Sequence, residues 1–269
     1  MNAYPAQWVY ACKAVHTSLC NIQIVNLPNM SEKLAVMIEL RDDPFLIVIF
    51  EIFLKTLADS GWSFMLIHGI NNEHIALQLK TKYPHIHTLN LNVANLTIEE
   101  YNHFLLNKFW YILPEWSKHI LRFELDTLIL SNKLDSFLEY DLIGAPWYFT
   151  QTWLPDPNKR VGNGGLTLRN KDAMIWALDN IKKHKHIGVI KAPAEDVFIT
   201  FNCNIKLAPL SIARKFSAET WPINDAILPI GYHKPFLHMS NDHMFLVYNH
   251  IYHVVRNREL AIVDSTINK

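Results

Sequence analysis

Strand-like and helix-like segments alternate between residues 34 and 130, and this alternation limits the fold more than any other feature of the sequence. Short apolar runs bounded by turn residues predict buried strands, whereas longer apolar or amphipathic runs predict helices. The predicted strands are 34–40 and 62–69, and the predicted helices are 44–57, 72–82 and 97–110, the last beginning with the capping-box pair Thr97 and Glu100. Strands separated by helices usually pair in parallel. The sequence therefore predicts an α/β fold with a mostly parallel central sheet flanked by helices.

Two carboxylates, Glu124 and Asp126, interrupt the apolar run 121–130, which has the composition of the end of a buried strand. Alternate residues of a strand face the same side of the sheet, so both side chains would project together. Two unpaired carboxylates at the edge of a core are costly, and a divalent cation would remove that cost. An ion pair with Arg122, or with a lysine elsewhere, is the alternative explanation.

The charge balance and composition exclude some classes of partner. The 25 basic and 25 acidic residues cancel, so the chain has no overall field that would attract nucleic acid or an anionic membrane. Half of the residues are hydrophobic and only 19% are charged, which predicts an ordered globular protein. A length of 269 residues suits one large domain with a substantial core.

The cysteines and the apolar runs bear on the compartment. Cys12, Cys20 and Cys203 are odd in number and widely spaced, which is typical of structural thiols in a reducing compartment. The first twenty residues lack the basic start and sustained apolar core of a signal peptide. The longest apolar run, 45–50, is far too short to span a bilayer. These features predict a soluble cytoplasmic protein.

Three glycines within four residues, Gly162, Gly164 and Gly165, form a second motif. Glycine permits a positive φ and close approach of a ligand to the backbone, so amide N–H groups of this loop could reach hydroxyls or phosphate oxygens. The spacing is not that of a phosphate-binding loop or of a full dinucleotide fingerprint. A tight hairpin turn is the alternative interpretation.

Two later motifs carry further titratable groups. Glu195 and Asp196 precede apolar residues at a predicted helix start, where capping and compensation of the helix dipole would explain both carboxylates, and where a general base fits equally well. His233 lies in a predicted turn between Gly231 and Pro235. A lone histidine is more often packed or solvated than a ligand, but neutral imidazole complements two carboxylates around a cation such as Mn²⁺.

Several polar residues fall near the predicted carboxyl ends of strands, where ligands bind in open α/β sheets. These residues are Glu39, His68, Glu124 and Asp126. We therefore expect a ligand site at that edge of the sheet.

Nine short motifs follow one another in a characteristic order along the chain. They are 39–41, 68–69, 101–102, 109–110, 123–126, 140–147, 162–169, 195–198 and 231–235. In this order they resemble the DUF5672 family of GT-A-like glycosyltransferases. The resemblance spans approximately residues 32–240, which leaves 1–31 as an N-terminal extension and 241–269 as a C-terminal tail.

The resemblance implies a nucleotide-diphospho-sugar donor whose diphosphate is bridged by a divalent metal, Mn²⁺ or Mg²⁺. Asp126 matches the last Asp of the family's DxD element, and His233 matches its late metal-binding histidine. Glu124 stands where the first Asp of that element would be, which keeps the charge on a longer arm. The positions that the resemblance assigns to donor binding are Glu39, Arg41, His68 and Gly69.

The resemblance also implies an acceptor side and a base. Asp196 matches the carboxylate that serves as base in inverting members, and Glu195 lies beside it. The positions assigned to acceptor binding are Trp147, Asn163, Gly164 and Gly165. Aromatic residues in and after this region, namely Trp147, Tyr148, Phe149 and Trp153, could stack on sugar rings or pack into the core.

These observations lead to the hypothesis of a metal-dependent, inverting glycosyltransferase that acts on a hydroxyl of a glycan or similar acceptor, as in polysaccharide biosynthesis. Such a transfer needs stabilisation of the departing phosphate charge and a carboxylate that accepts the proton of the acceptor. One alternative is a non-catalytic sugar-nucleotide or glycan-binding protein with the same fold. The other is a nucleotidyltransferase, which would release pyrophosphate instead.

Overall fold

The computed structural model describes residues 4–148, 159–183, 194–224 and 226–267. The strands are β1 Lys33–Glu39, β2 Ser63–His68, β3 His87–Asn90, β4 His119–Phe123, β5 Thr127–Ile129, β6 Leu142–Gly144, β7 Leu166–Asn170, β8 Ser217–Ala218 and β9 Gly231–His233. The helices are α1 Ala6–Ser18, α2 Phe45–Thr56, α3 Glu73–Lys82, α4 Ile98–Asn107, α5 Phe109–Ile112, α6 Lys171–Lys183, α7 Glu195–Asn202, α8 Leu210–Phe216 and α9 Asn241–Ile267. Short 3₁₀ helices span Asp135–Phe137 and Pro235–Leu237.

A six-stranded sheet with the order β3-β2-β1-β4-β7-β6 forms the centre of the protein. The four strands β3, β2, β1 and β4 pair in parallel, while β7 runs antiparallel to both of its neighbours. The predicted α/β fold with a mostly parallel central sheet is therefore confirmed. The carboxyl ends of β1 and β4 lie at one edge of the sheet, because these strands are parallel neighbours.

Both faces of the sheet are covered, and β1 shows how the sequence achieves this. Leu34, Val36 and Ile38 belong to one hydrophobic cluster, whereas Ala35 and Met37 belong to another on the opposite face. This alternation follows from the two-residue period of a strand. One cluster contains α1, α2, α3, α8 and α9, and the other contains α4, α5, α6 and α7. The sequence of a central strand with two covered faces is consequently a continuous run of apolar residues.

The helix predicted over 97–110 is divided in two. The capping box at Thr97 and Glu100 is present, with the Thr97 side chain accepting the Glu100 N–H and the Glu100 side chain accepting the Thr97 N–H. The helix ends at Asn107 because Lys108 leaves helical geometry, with φ −127° and ψ −42°. The break lets Phe109 and Trp110 turn into the core on the short helix α5.

The run 121–130 is not one strand, and this prediction was wrong. Strand β4 ends at Phe123, and a turn through Glu124 and Asp126 leads to β5 in a separate three-stranded sheet of order β5-β9-β8. The Thr127 N–H and hydroxyl both donate to the Glu124 carbonyl, at 3.1 and 2.6 Å, and close this turn. The two carboxylates therefore converge through a turn and not through strand alternation.

The terminal helices α1 and α9 pack on the same core as one face of the sheet. Trp8, Cys12 and Val15 of α1 are fully buried, and Val247 and Ile251 of α9 join the same cluster. Although α9 has 27 residues, no helix among the described residues is both long and apolar enough to cross a membrane. The three cysteines are free thiols, as expected from their spacing.

A buried carboxylate joins three helices on this face. Glu51 of α2 is 2.7 Å from His16 Nε2 and 2.6 Å from Lys82 Nζ, and it accepts a hydrogen bond of 2.9 Å from the Tyr83 hydroxyl. Burial alone would raise the pKa of Glu51, but the bonds from His16, Lys82 and Tyr83 outweigh it and lower the pKa to about 2. The ionised form is therefore the one that the fold stabilises.

Glu51→Gln should destabilise the protein at pH 7 by on the order of 2 kcal/mol, because it removes the charge that three partners stabilise. Since the folded-state pKa of Glu51 lies below its unfolded value, the contribution is complete above about pH 4.5 and is lost as the pH falls towards 2. The measurement is urea unfolding of parent and variant between pH 3 and pH 8. The exposed pair formed by Glu139 and Lys206 provides the control, since Glu139→Gln should change stability by less than about 1 kcal/mol. If the free energy of unfolding differed by the same amount between the parent and Glu51→Gln at every pH, the assignment of Glu51 as an ionised, stabilising carboxylate would be contradicted.

Candidate active site

Glu124, Asp126 and His233 meet at the carboxyl edge of the sheet, with one ligand atom of each within 4.8 Å of the others. The small sheet brings them together, because Thr127 of β5 lies directly opposite His233 of β9. The Lys234 N–H also donates to the Asp126 carbonyl at 2.8 Å, which holds the end of β9 against the turn after β4. The grouping that the sequence predicted for these three residues is present.

The donor atoms of this group suit a divalent cation. Asp126 Oδ1 and His233 Nε2 lie 3.4 Å apart and are buried, and neither has a hydrogen-bond partner among the described residues. Glu124 Oε2 is 3.8 Å from the same imidazole nitrogen. Buried polar atoms without partners are rare, and one imidazole nitrogen with two carboxylates is a ligand set that Mn²⁺ accepts. The residues present therefore fit a metal ion.

The electrostatics of the group favour a positive charge beside Asp126. Burial lowers the pKa of His233, but the negative charges of Glu219 and Asp126 outweigh burial and raise it to about 10. For Asp126, burial raises the pKa, while the positive charge of His233 outweighs burial and lowers it. The surroundings thus favour the ionised form of Asp126 and a positive charge at the position of His233.

Arg122 is not the main partner of the two carboxylates. Its Nη2 lies 4.0 Å from Glu124, whereas its Nε and Nη2 donate to the Gly164 carbonyl at 3.0 and 2.5 Å. Its Nη1 is 3.4 Å from Glu195. The ion pair with Arg122, one of the alternatives for Glu124 and Asp126, therefore accounts for only a weak contact of Glu124.

The glycine loop supports the site by close packing. Among the described glycines only Gly61 has a positive φ, so the expectation that this loop exploits positive φ is not met. A Cβ on Gly164 would overlap Arg122 Nη2, and a Cβ on Gly165 would overlap the His233 ring. Glycine is required here because side chains of the site lie directly against the backbone. The loop leads into β7 in the central sheet, so it is not a simple hairpin turn.

Asp196 contacts the same loop from the first turn of α7. Its Oδ2 accepts the Gly164 N–H at 3.0 Å, and its Oδ1 accepts the Val197 N–H at 2.8 Å. Burial and the neighbouring charge of Glu195 raise the pKa of Asp196. Consecutive glycines therefore contact Asp196 and His233, which places the carboxylate beside the metal-ligand group.

Glu195 is held very differently from Asp196. It is 2% exposed and forms ion pairs with Arg169, on β7, and with Arg122. Burial alone would raise its pKa, but the charges of Arg169 and Arg122 outweigh burial and lower it. The Glu195 N–H is capped by the Asn102 side chain at 2.9 Å. Glu195 thus anchors the start of α7 and orients Asp196.

The residues assigned to donor binding fall in two places. Glu39 and Arg41 line a cleft of about 420 Å³ that also contacts Glu124 and Asp126. Arg41 donates to both Glu39 oxygens, at 2.8 and 2.7 Å. His68 is buried at the end of β2, with Nδ1 3.0 Å from the Gly69 carbonyl.

Gly69 forms a turn that connects two strand ends. Its N–H donates to Asn72 Oδ1 at 2.9 Å, and Asn72 Nδ2 donates to the Glu39 carbonyl at 2.8 Å. A Cβ on Gly69 would lie 2.5 Å from the Val93 carbonyl oxygen. This close packing explains why glycine is required at this position, and no ligand is needed for that explanation.

The aromatic residues named for acceptor stacking are only partly described. Trp147 is 3% exposed and stacks on Phe201 at a centroid distance of 6.1 Å, whereas Tyr148 is 37% exposed and meets Trp221 edge to face. Phe149 and Trp153 lie outside the described residues. Of the described pair, Tyr148 is the residue that a ligand could reach.

One residue of the site was missed in the sequence. Glu219 is 2% exposed and accepts a hydrogen bond from Asn163 Nδ2, and its Oε1 is 3.3 Å from His233 Nδ1. It follows β8, a strand of two residues, and belongs to no recognisable motif. The only signal was a carboxylate between the aromatic residues Phe216 and Trp221.

The fold and the site together define an α/β protein with a carboxylate–histidine group at the carboxyl edge of a mostly parallel sheet. The chain belongs to the DUF5672 family, described as a protein of unknown function, whose model matches residues 85–233, more than half of the chain. No curated protein shows significant sequence similarity to it.

Solved structures with some similarity in fold include enzymes of two kinds. The apo form of the glycosyltransferase GlyE from Streptococcus pneumoniae TIGR4 is 13% identical with a TM-score of 0.45, over 86% of this chain and 64% of that one. The mannosyltransferase PcManGT from Pyrobaculum calidifontis, in complex with GDP-Man and Mn²⁺, is 7% identical with a TM-score of 0.42, over 76% and 63%.

The 4-diphosphocytidyl-2C-methyl-D-erythritol synthase from Anaerococcus prevotii DSM 20548 is 14% identical with a TM-score of 0.42, over 66% of this chain and 88% of that one. The chain thus spans less than two thirds of the length of the two glycosyltransferases.

Gly165→Ala should weaken Mn²⁺ binding by at least about tenfold, because the added methyl group displaces the His233 ring and ligand geometry must be held closely. The measurement is titration of the folded protein with Mn²⁺, monitored by electron paramagnetic resonance. Gly162→Ala is the control in the same loop, since its Cβ would meet Thr200 and Trp147 instead of His233. We expect Gly162→Ala to lose stability but to keep Mn²⁺ binding. Equal Mn²⁺ affinities of Gly165→Ala and the parent would contradict this role of Gly165.

Proposed function

We propose that the protein is a metal-dependent glycosyltransferase of the GT-A type that transfers a sugar, with inversion, from a nucleotide-diphospho-sugar donor to a hydroxyl of a glycan or similar acceptor. The observation that carries the proposal is the group of Glu124, Asp126 and His233, whose buried atoms Asp126 Oδ1 and His233 Nε2 have no hydrogen-bond partner in the described part of the chain.

The location of this group supports a nucleotide-diphosphate ligand. The cleft that contains Glu124 and Asp126 extends past Arg41 at the end of β1 to Ala194, just before α7. Ligands of open α/β sheets bind outside the carboxyl ends of the strands. A divalent cation held by Glu124, Asp126 and His233 would neutralise the charge that develops on the departing diphosphate. We assign Glu39 and Arg41 to the donor side of the cleft, and His68 and Gly69 to the support of that edge.

Asp196 is the group that we assign as general base. Its carboxylate would accept the proton of the acceptor hydroxyl while the oxygen of that hydroxyl forms the new bond to the sugar and the bond between the sugar and the nucleoside diphosphate breaks. The N–H groups of Gly164 and Val197 hold the carboxylate in place. Its raised pKa makes it a stronger base than an exposed aspartate, which suits proton transfer near neutral pH. Glu195 is already paired with two arginines, so we assign it an orienting role.

The acceptor would lie on the side of the glycine loop. Gly164 contacts Asp196, and Asn163 and Gly165 contact His233, so this loop separates the base from the metal ligands. Trp147 is buried against Phe201 and would shape the wall of this side without stacking directly on a sugar. The half-exposed Tyr148 is better placed for stacking.

The test is a screen of UDP-, GDP-, ADP- and CDP-linked sugars with the full chain, each with Mn²⁺, with Mg²⁺ and with EDTA. A glycosyltransferase should release the nucleoside diphosphate slowly by donor hydrolysis, and the release should stop with EDTA. A nucleotidyltransferase, supplied with a nucleoside triphosphate and a sugar phosphate, would instead release pyrophosphate from the triphosphate. Metal-dependent donor binding without release, in the presence of mixed glycan acceptors, would indicate the non-catalytic alternative and contradict the proposal.

A further inference from the structure

We propose that Glu219 and Asn163 are positioning residues that hold His233 in the tautomer with its proton on Nδ1, so that Nε2 is free to bind the cation. The inference rests on the proposed function, because it concerns the same metal-ligand group. It assigns a role to Glu219, a buried carboxylate that is neither one of the three metal-ligand candidates nor the proposed base.

The pairing of the small sheet places Glu219 beside His233. Strand β8 runs parallel to β9, with Ala218 opposite Tyr232, so Glu219, which follows β8, comes next to His233 at the end of β9. Glu219 is 2% exposed and His233 is also 2% exposed. Their contact, 3.3 Å between Glu219 Oε1 and His233 Nδ1, is therefore removed from solvent.

The hydrogen bonds of Asn163 determine which way its amide points. Asn163 Nδ2 donates to Glu219, and a carboxylate of this kind can only accept. Asn163 Oδ1 consequently faces the other way, where it accepts the Gly165 N–H at 3.1 Å and lies 2.6 Å from His233 Nδ1. Glu219 thus fixes the amide, and the amide presents an oxygen to the imidazole.

When His233 binds the cation as the neutral imidazole, its one proton must then lie on Nδ1. Both groups near Nδ1, namely Asn163 Oδ1 and Glu219 Oε1, are acceptors, so this nitrogen has to donate. Nε2 therefore carries the lone pair and faces Asp126 and Glu124. A metal-binding histidine usually donates its other ring N–H to a carboxylate or carbonyl, and loss of that partner typically costs about 10–100-fold in metal affinity.

A purely structural role for Glu219 makes a different prediction. Its Oε1 is also 3.9 Å from Lys234 Nζ and 3.7 Å from His238 Nε2, so it could simply balance nearby positive charge. In that case its removal would lower stability and leave the affinity of the folded protein for metal unchanged. Metal affinity, measured separately from stability, therefore separates the two roles.

The experiment compares Mn²⁺ dissociation constants of the parent, Glu219→Gln and Glu51→Gln by calorimetry. The titration includes whichever of UDP, GDP, ADP and CDP stabilises the parent most in the presence of Mn²⁺. We expect Glu219→Gln to bind Mn²⁺ about 10–100-fold more weakly. Glu51→Gln removes a buried carboxylate outside the site and should lose stability but keep the parent's affinity. Glu219→Asp, which retains the carboxylate, should recover part of the affinity.

A second measurement is made mainly on the parent, so it does not depend on whether a variant at position 219 folds. In the parent with Mg²⁺ and the same nucleoside diphosphate, ¹⁵N NMR should show His233 protonated on Nδ1 and unprotonated on Nε2, with the signal assigned by its loss in His233→Asn. A proton on Nε2, or an affinity of Glu219→Gln within threefold of the parent, would overturn the inference. A parent that binds no Mn²⁺ under any of these conditions would instead refute the proposed function.

Discussion

Asp126→Asn should abolish the stabilisation that Mn²⁺ and a nucleoside diphosphate give together, and should lower donor turnover by about 10²–10³-fold. The turnover estimate follows because a Lewis acid contributes several kcal/mol to such a reaction and about 1.4 kcal/mol corresponds to tenfold in rate. Asp126 supplies a buried oxygen without a hydrogen-bond partner, 3.4 Å from His233 Nε2, so the substitution replaces a charged ligand by a neutral amide of the same size.

Thermal unfolding measures the first part of this prediction. Ligand at about 100 times its dissociation constant stabilises the native state by about 2.7 kcal/mol, and a chain of this size should gain several degrees in Tm. Mn²⁺ alone should have a smaller effect than Mn²⁺ with the nucleoside diphosphate, because phosphate oxygens complete the coordination.

Asp135→Asn is the matched control for Asp126→Asn. Asp135 is exposed and pairs with Lys33 at the amino end of β1, on the opposite edge of the sheet from the cleft. This variant should keep the joint stabilisation and the turnover of the parent. If Asp126→Asn also kept both, the assignment of the metal ligands would be refuted.

Asp196→Asn should lower kcat by at least about 10²-fold while the affinities for donor and metal change little, because a positioned general base typically contributes about 10²–10⁴-fold. Asp196 is held by the Gly164 and Val197 N–H groups and lies outside the metal-ligand group. Asparagine can keep one of these hydrogen bonds with its amide oxygen but cannot accept a proton from an acceptor hydroxyl.

The pH dependence adds a second test of this assignment. Burial and Glu195 raise the pKa of Asp196, so the acid limb of the parent's kcat profile should lie above the ordinary range of an aspartate, and Asp196→Asn should remove it. A raised folded-state pKa also means that ionised Asp196 reduces stability as the pH rises through that pKa. At neutral pH the loss of this charge should therefore offset the loss of about 1 kcal/mol from a hydrogen bond.

Asp172→Asn is a suitable control for Asp196→Asn, because Asp172 is an exposed acidic residue in the first turn of α6. It should leave kcat and its pH profile unchanged. A kcat of Asp196→Asn within a few-fold of the parent would exclude Asp196 as the base and would favour a retaining mechanism.

Two strands of the central sheet and three helical segments were predicted from local patterns. Apolar segments of strand length alternating with longer helical segments indicated β1, α2, β2 and α3, and the capping box marked the start of α4. These features depend on side-chain period, residue propensity and capping within a few residues. They are therefore encoded locally and require no knowledge of tertiary contacts. Fold class and the identity of the metal-ligand candidates were therefore accessible without coordinates.

The interpretation of 121–130 failed for a reason that lies outside the segment. Its residues suit one strand, but β5 pairs with β9, which lies more than 100 residues further along the chain. Local propensity carries no information about such a partner. The turn that this pairing creates, and not strand alternation, brings Glu124 and Asp126 together.

The sequence by itself determined the α/β class, the acidic pair Glu124 and Asp126, the glycine loop and the histidine as separate features. Only the tertiary structure decided their relation, because contacts between β5, β8 and β9 join segments that are distant in sequence. Those contacts place Glu219 beside His233. The start of α7 lies against β4 and β7, which pairs Glu195 with Arg122 and Arg169 and leaves Asp196 beside the glycine loop. Chemically similar carboxylates thus differ in pKa and in expected role because burial and neighbouring charge, which the fold sets, differ at each position.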